Sequence, residues 1–318
     1  MADANKLAPI PKPPGKPFLG NVLSVDAGAP LQSLKTLGDE QGPIFWLDMM
    51  GTPIVFVTGA DLVAELCDEK RFDKSVRGPL RRLRVIGGDG LFTGDTVAPN
   101  WGKAHNILMP TFSQKSMHSY LPMMVDIAEQ LMLKWERLNS DEEIDVPRDM
   151  IGLTLDTIGV CGFDYRFNSF YRDDFHPFID ALTRTLEIAM LQRGLPLESV
   201  FLRGRLAQLE KDVDYMNTLV DDIIRERRKT GGDQKDLLNF MLAGKDPVTG
   251  EGLSDENIRY QINTFLIAGH ETTSGMLSFA LYYLLKNPDV LRRAYQEADE
   301  VLGRDISIPP SMAQISQL

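Results

Sequence analysis

Cysteine is nearly absent: Cys67 and Cys161 are the only two in 318 residues, and neither belongs to a CxxC pair or a Cys/His cluster. A disulfide framework and a structural zinc site are thereby excluded, and a reducing cytoplasm is the expected location. Long apolar runs are missing from the N-terminus, where MADANKLAPIPKPPGKPFLG holds none of signal-peptide or membrane-span length, so no membrane anchor is expected. Internal repeats and low-complexity tracts do not stand out. Positive charge is in deficit, with 34 Lys and Arg against 45 Asp and Glu, a net charge of -11. Such a field repels polyanions, so nucleic acid is not an expected partner.

What remains is a chain with 43% hydrophobic and 25% charged residues, enough to build one large globular domain or two small ones. The prolines of residues 1–17 favour an extended lead-in, either a free tail or a docked arm. IFWLD at 44–48 and IVFV at 54–57 flank MMGTP and read as a small hairpin. Beyond the hairpin, most of the chain reads as helix. Leu206, Leu209, Val213, Met216, Val220 and Ile223 alternate in steps of three and four, which predicts one long amphipathic helix closing on basic residues and a Gly pair. Further helices are expected at 114–137, 149–162, 175–190 and 254–286.

The last of these poses a chemical question. FLIAGHETTSGMLSFALYYLL, residues 265–285, is almost entirely apolar, yet Gly269, His270, Glu271, Thr272 and Thr273 stand together near its start. Ser254 is a plausible N-cap, with Asp255 and Glu256 well placed against the helix dipole, and Pro288 ends the segment. About thirty residues at about 1.5 Å each cross a domain, and the apolar second half predicts packing on all sides. Gly269 costs about 1 kcal/mol relative to alanine, and Thr272 can bond back to the Ala268 carbonyl. A local widening of the ladder between 267 and 273 is therefore expected. Glu271 must be paired, solvated or neutral there. A metalloprotease site is excluded, because HExxH needs His at position 274, which is Ser.

AGHETT in a long, late helix resembles the oxygen-activation motif of cytochrome P-450 monooxygenases. NWGKAHNILMPTFS resembles the family's haem-propionate helix, CDEKRFDK precedes it at the expected place, and LTLDTIGVCGFDYRFNSFYRDDFHPFI follows. Together they are similar to the soluble bacterial and fungal fatty-acid hydroxylases whose haem domain is fused to a diflavin reductase. The resemblance implies a mainly α haem-domain fold with a small β-hairpin region near the N-terminus, haem b as cofactor, and insertion of one oxygen atom of O2 into a C–H bond. Electrons would come from NADPH through FMN and FAD in a reductase domain outside this chain. It further implies that Thr272 hydrogen-bonds the activated oxygen, that Glu271 relays protons, and that Ala268 and Gly269 lie beside the haem. Lys74, Trp101 and His105 would meet the propionates, while Phe92, Leu80, Leu83 and Gly87 would line the access channel for a long-chain apolar substrate.

Two features depart from the pattern. Where those hydroxylases hold a substrate carboxylate with Arg and Tyr, this chain has Thr52 and Phe56. A charge-assisted bond contributes about 1.5–3 kcal/mol, so fatty acids should bind more weakly, or through Arg81, Arg82 or Arg84, a cluster that otherwise reads as a solvated face. Less anionic lipids and alcohols become credible substrates. The second departure is the thiolate ligand: Cys67 and Cys161 match non-ligand positions, so residues 1–318 are expected to be a truncated haem domain with the cysteine-ligand loop and the reductase domain absent, and to expose a large apolar surface. A non-catalytic hydrophobic-ligand binder, or an inert remnant, is the competing expectation.

Overall fold

The computed structural model describes residues 8–26, 28–192, 198–232, 235–305 and 308–318; the first seven residues of the proline-rich lead-in lie outside them. The chain divides into two compact units, Met1–Lys74 and Ser75–Leu318.

In the first unit, helix α1 (Pro30–Gln41) precedes strands β1 (Ile44–Met49) and β2 (Thr52–Val57), and α2 (Ala60–Leu66) follows. The strands pair antiparallel from Ile44 opposite Val57 to Met49 opposite Thr52. That register leaves a two-residue turn, in which Met50 and Gly51 both have positive φ, 54° and 86°, the handedness that matches strand twist. Alternation along β1 buries Phe45 and Leu47 against Leu37 of α1, and Phe56 stacks on Phe45 at 5.5 Å. Residues 8–17 form a docked arm. Trp46 N–H donates to the Pro11 carbonyl, and the buried Asn21 amide donates to the Pro13 and Pro14 carbonyls while accepting from Asp48 N–H. Carbonyls of Pro11, Pro13 and Pro14 are thus satisfied by Trp46 and Asn21, which a free tail would leave to water.

The second unit is helical. Two short turns, α3 (Gly78–Arg82) and α4 (Arg84–Gly87), lead to α5 (Pro99–Leu108), a 3-10 turn at Met109–Phe112, and α6 (Gln114–Glu136). Then come α7 (Val146–Phe163), α8 (Pro177–Leu191), α9 (Glu198–Phe201), α10 (Arg203–Thr230), α11 (Leu237–Ala243), α12 (Asp255–Lys286), α13 (Pro288–Leu302) and α14 (Met312–Ile315). The expected helices are present with ends within about three residues of those read from periodicity. Side-chain caps start several of them: Ser113, Asp145, Asp236 and Ser254 each accept the backbone N–H three residues on.

Helix α12 runs through the core. Ile258, Ile262 and Leu266 recur every fourth residue and are fully buried, among Leu155 of α7, Leu182 of α8, Met216 and Val220 of α10, and Leu238 of α11. Its second half departs from the expected packing on all sides. Met276, Phe279, Tyr283 and Leu285 are 61–68% exposed, because described elements cover only one flank of that half.

One guanidinium joins three helices. Arg227 of α10 is buried, donating from Nη1 to Asp236 Oδ1 and Asn239 Oδ1, both at 2.9 Å, and from Nη2 to the Phe163 carbonyl at 3.1 Å. Asp236 is also the N-cap of α11. Truncating Arg227 strands a buried carboxylate, so Arg227→Ala is expected to lower stability by about 3–5 kcal/mol. Thermal unfolding followed by circular dichroism checks this, and Arg227→Lys should recover only part of the loss, because one ammonium cannot span the planar fork.

Candidate functional site

The AGHETT segment occupies a continuous α-helix. Asp255–Lys286 is helical without a 3-10 or π interruption, so no change of helix type accompanies the widening expected at 267–273. Thr272 Oγ1 does donate to the Ala268 carbonyl, at 2.9 Å. A carbonyl oxygen has two lone pairs, so the hydroxyl can share the acceptor with the main-chain N–H without displacing it.

Gly269 has a packing role. A Cβ there would sit 3.2 Å from Ile158 Cγ1 of α7, tighter than ordinary contact, so the glycine permits the two helices' close approach. The next residue locks it. His270 is buried; its Nδ1 contacts the Leu266 carbonyl at 2.5 Å, and its own carbonyl accepts from Thr154 Oγ1 of α7 at 2.7 Å. Burial pushes the His270 imidazole below its ordinary pKa, against a smaller upward pull from the Leu266 carbonyl and Glu271.

With Gly269 and His270 turned to α7, helical geometry sends Ala268 and Thr272 to another face. Both are exposed, as is Glu271. Their stripe continues through Met276, Phe279 and Tyr283, and upstream to Phe265, whose ring lies 5.8 Å from that of Phe112. Glu271 also stands at the rim of an apolar groove of about 560 Å³ that Val146, Pro147 and Ile151 of α7 share with Phe279, Tyr282 and Leu285 of α12. An acid and a hydroxyl therefore border a long apolar surface.

At the stripe's N-terminal end, α5 carries Trp101 and His105 one turn apart, half-buried and stacked at 5.0 Å. The indole N–H donates to the Leu91 carbonyl at 3.0 Å, which places Phe92, 41% exposed, on a loop tied to α5. Leu83 and Gly87 are buried, Leu80 half-buried. The arginine cluster is not the solvated face it resembled. Arg82 donates to the Ala189 carbonyl of α8, and Arg84 to the Thr93 carbonyl and Asp95, because both side chains lie over carbonyls left at loop and helix ends; Arg81 alone is exposed. Lys74, Thr52 and Phe56 belong to the first unit: Lys74 and Thr52 are exposed, and Phe56 packs on the hairpin core. Phe112 and Phe265 escaped the sequence reading; an aromatic seven residues before the Thr272 stripe, at two helical turns, was the available signal for Phe265.

A flat macrocycle with two carboxylates needs an apolar plane, small residues beside it and donors at one edge. The Phe265–Ala268–Thr272 face and the His105 edge fit haem in this respect, while the Trp101 indole N–H is already given to Leu91. Cys161 is buried in α7 near the Tyr120 carbonyl, and burial pushes its thiol up to about 12, while Cys67 is an exposed helix end of the first unit. Among the described residues no group of three or more His, Cys, Asp or Glu side chains could hold a metal ion, and no helix is long and apolar enough to cross a membrane.

Residues 10–318 match the cytochrome P450 family model. The chain belongs to the cytochrome P450 family. It is 56% identical over 299 residues to a bifunctional cytochrome P450/NADPH–P450 reductase of Bacillus cereus, with 93% of this chain and 28% of that protein covered. With the bifunctional cytochrome P450/NADPH–P450 reductase 2 of Bacillus subtilis it shares 55% identity over 97% of the chain and 29% of the relative. A self-sufficient cytochrome P450 monooxygenase of Phanerodontia chrysosporium is 48% identical over 92% of the chain and 28% of its own length. The chain thus spans less than a third of the length of these relatives.

Two buried histidines make stability depend on pH. Burial lowers the pKa of His270, and burial together with Arg172 lowers that of His176. The unfolded chain then binds more protons as pH falls below about 6.5, so stability is full above that value and declines toward the folded pKa values. Denaturant titrations between pH 7.5 and 5 should show this decline, by at most about 1.4 kcal/mol per pH unit per histidine, and His270→Gln should flatten it.

Proposed function

We propose that this chain forms the oxygen-activating face of a P450 monooxygenase that hydroxylates long-chain apolar molecules within a longer polypeptide, taking NADPH electrons through a fused FMN- and FAD-containing reductase. The observation that carries the reading is the exposed Ala268–Thr272 step, with Glu271 beside it, at the head of an otherwise apolar stripe. The lengths and names of the relatives support the reductase as partner.

Bound haem with a thiolate ligand supplies O2 activation for insertion of one oxygen atom into a C–H bond. The chain's own residues then have distinct tasks. Ala268 has only a methyl group and leaves room on the helix face. Thr272 holds a proton at Oγ1, parked on the Ala268 carbonyl. Glu271 is adjacent in sequence but about 100° round the helix, so it reaches Thr272 through water and exchanges protons with solvent. His105 is the propionate donor that this unit presents, with Trp101 stacked on it and its one indole N–H given to the Leu91 carbonyl; Trp101 and Lys74 join it on the strength of the resemblance. Phe112, Phe265 and Phe92 supply apolar walls that exclude water. A hydrophobic-ligand binder without chemistry would leave the acid and hydroxyl on this face with no task.

The substrate is expected to be long and apolar, with weak dependence on a carboxylate, since Thr52 and Phe56 carry no charge. Thr272→Ala should retain NADPH consumption while product formed per NADPH falls several-fold, because removing the hydroxyl spoils proton delivery and leaves electron supply untouched. Quantifying product against NADPH oxidised in the haem-loaded full-length protein with its reductase checks this, and unchanged coupling would refute the role. Separately, Thr52→Arg combined with Phe56→Tyr should tighten medium-chain fatty-acid binding about tenfold or more, the equivalent of about 1.5–3 kcal/mol from one charge-assisted bond. Optical titration of the haem band reads the affinity, and no tightening would mean that another group already holds the carboxylate.

A further inference from the structure

Phe92 sits between two residues whose backbone groups are held by side chains from three helices. The Leu91 N–H donates to Gln261 Oε1 of α12 at 3.0 Å, and the Leu91 carbonyl accepts from Trp101 Nε1 of α5 at 3.0 Å. On the other side, the Thr93 carbonyl accepts from Arg84 Nε at 2.8 Å, and the buried Thr93 hydroxyl donates to the Gly88 carbonyl at 2.9 Å. Close approach to α12 is built in: a Cβ on Gly90 would meet Thr264 Oγ1 at 2.9 Å and the Tyr260 carbonyl at 3.1 Å.

Gln261 is itself oriented from a distance. Its Nε2 donates to Asn257 Oδ1 at 3.0 Å, and Asn257 Nδ2 donates to Asp89 Oδ1 at 2.8 Å. Both amides are buried, Gln261 at 0% and Asn257 at 2% exposure. A carboxylate offers acceptors only, so Asp89 makes Asn257 present its amide nitrogen and turn its oxygen to Gln261. Gln261 must then answer with its nitrogen, which leaves Oε1 for the Leu91 N–H. The second carboxylate oxygen, Asp89 Oδ2, is held by Asn100 Nδ2 at 2.7 Å. Asn100 immediately precedes Trp101, which holds the Leu91 carbonyl, so the network closes on the same residue from the other side.

We propose that the Asp89–Asn257–Gln261 relay is a specificity-positioning device: by dictating the orientation of the Gln261 amide it holds the Leu91 N–H, and with it the backbone leading into Phe92, and thus which carbon of a long apolar substrate the ring admits to the reacting position. Asp89 and Gln261 are positioning residues that act through the backbone of residue 91. The inference rests on the monooxygenase reading of the site.

Asp89→Asn keeps the shape and removes the polarity, so the amides can reverse and face the Leu91 N–H with a donor. Gln261→Met keeps bulk and burial, deletes the acceptor, and supplies the same comparison should Asp89→Asn not fold. In the haem-loaded protein, amide hydrogen exchange across residues 88–94 should quicken about tenfold in each variant, the loss of roughly one buried hydrogen bond. With reductase, NADPH and a long-chain substrate, the hydroxylation positions should shift toward those of Phe92→Ala, while total turnover stays within about threefold of wild type. A merely structural loss would lower turnover and leave the positions alone. Unchanged exchange in both variants, or fast exchange with the wild-type product pattern, overturns the relay as a specificity device. Absence of oxygenated product from the wild-type protein would instead refute the proposed activity, while the exchange comparison would still decide whether the relay holds the loop.

Discussion

The close crossing of α7 and α12 governs the second unit. Ile158 lies so close to α12 that even a methyl group at Gly269 would crowd it, and the Thr154 hydroxyl reaches the His270 carbonyl. With that side of the helix committed, the rotation of α12 about its axis is set. Every residue from Phe265 to Tyr283 is assigned to core or to open surface by its angle from Gly269, at about 100° per residue. The placement of an acid and a hydroxyl beside an apolar stripe is a consequence of helix packing one and two residues earlier.

Several buried polar groups around this crossing are satisfied by a neighbour that also performs a packing task. Arg227 closes the ends of α7 and α11 while shielding Asp236. Asp156 of α7 accepts the N–H groups of Asn168 and Ser169 at 2.8 Å and so fixes the chain's exit from that helix. Asp149, also on α7, accepts from Trp135 Nε1 at 2.7 Å and pairs with Lys134, securing α6. Such carboxylates are costly to bury alone and specific when paired. They give the helices unique partners, which a purely apolar interface leaves less defined. The buried relay from Asp89 to Leu91 extends the same economy into the loop that carries Phe92.

Much of this was legible in the amino-acid sequence. Period-3.6 apolar spacing marked the helices at 114–137, 149–162, 175–190 and 254–286, and short β-branched and aromatic runs marked the hairpin, because local burial patterns are written locally. The back-bond from Thr272 to Ala268 was readable too, as it spans one helical turn. The supposed opening of that turn was not found. A threonine's tendency to compete for a carbonyl is a local preference, and tight packing of α12 on α7 outweighs it. The arginine run at 81–84 misled in the same way, since its partners, Ala189 and Thr93, are identified only when the chain is folded.

Residue type and spacing therefore determined by themselves which segments are helical, that the AGHETT turn joins acid and hydroxyl to an apolar face, and the likeness to the P450 family. Tertiary structure alone decided which flank of α12 is open, that Gly269 serves a helix crossing, that Trp101 spends its N–H on Leu91, and that Gln261, 170 residues from Leu91, accepts its backbone N–H. The physical reason is range. Backbone hydrogen bonding and amphipathic periodicity act within a few residues and are legible along the chain, whereas the pairing of a buried donor with its acceptor depends on which distant surfaces are pressed together and water excluded from between them.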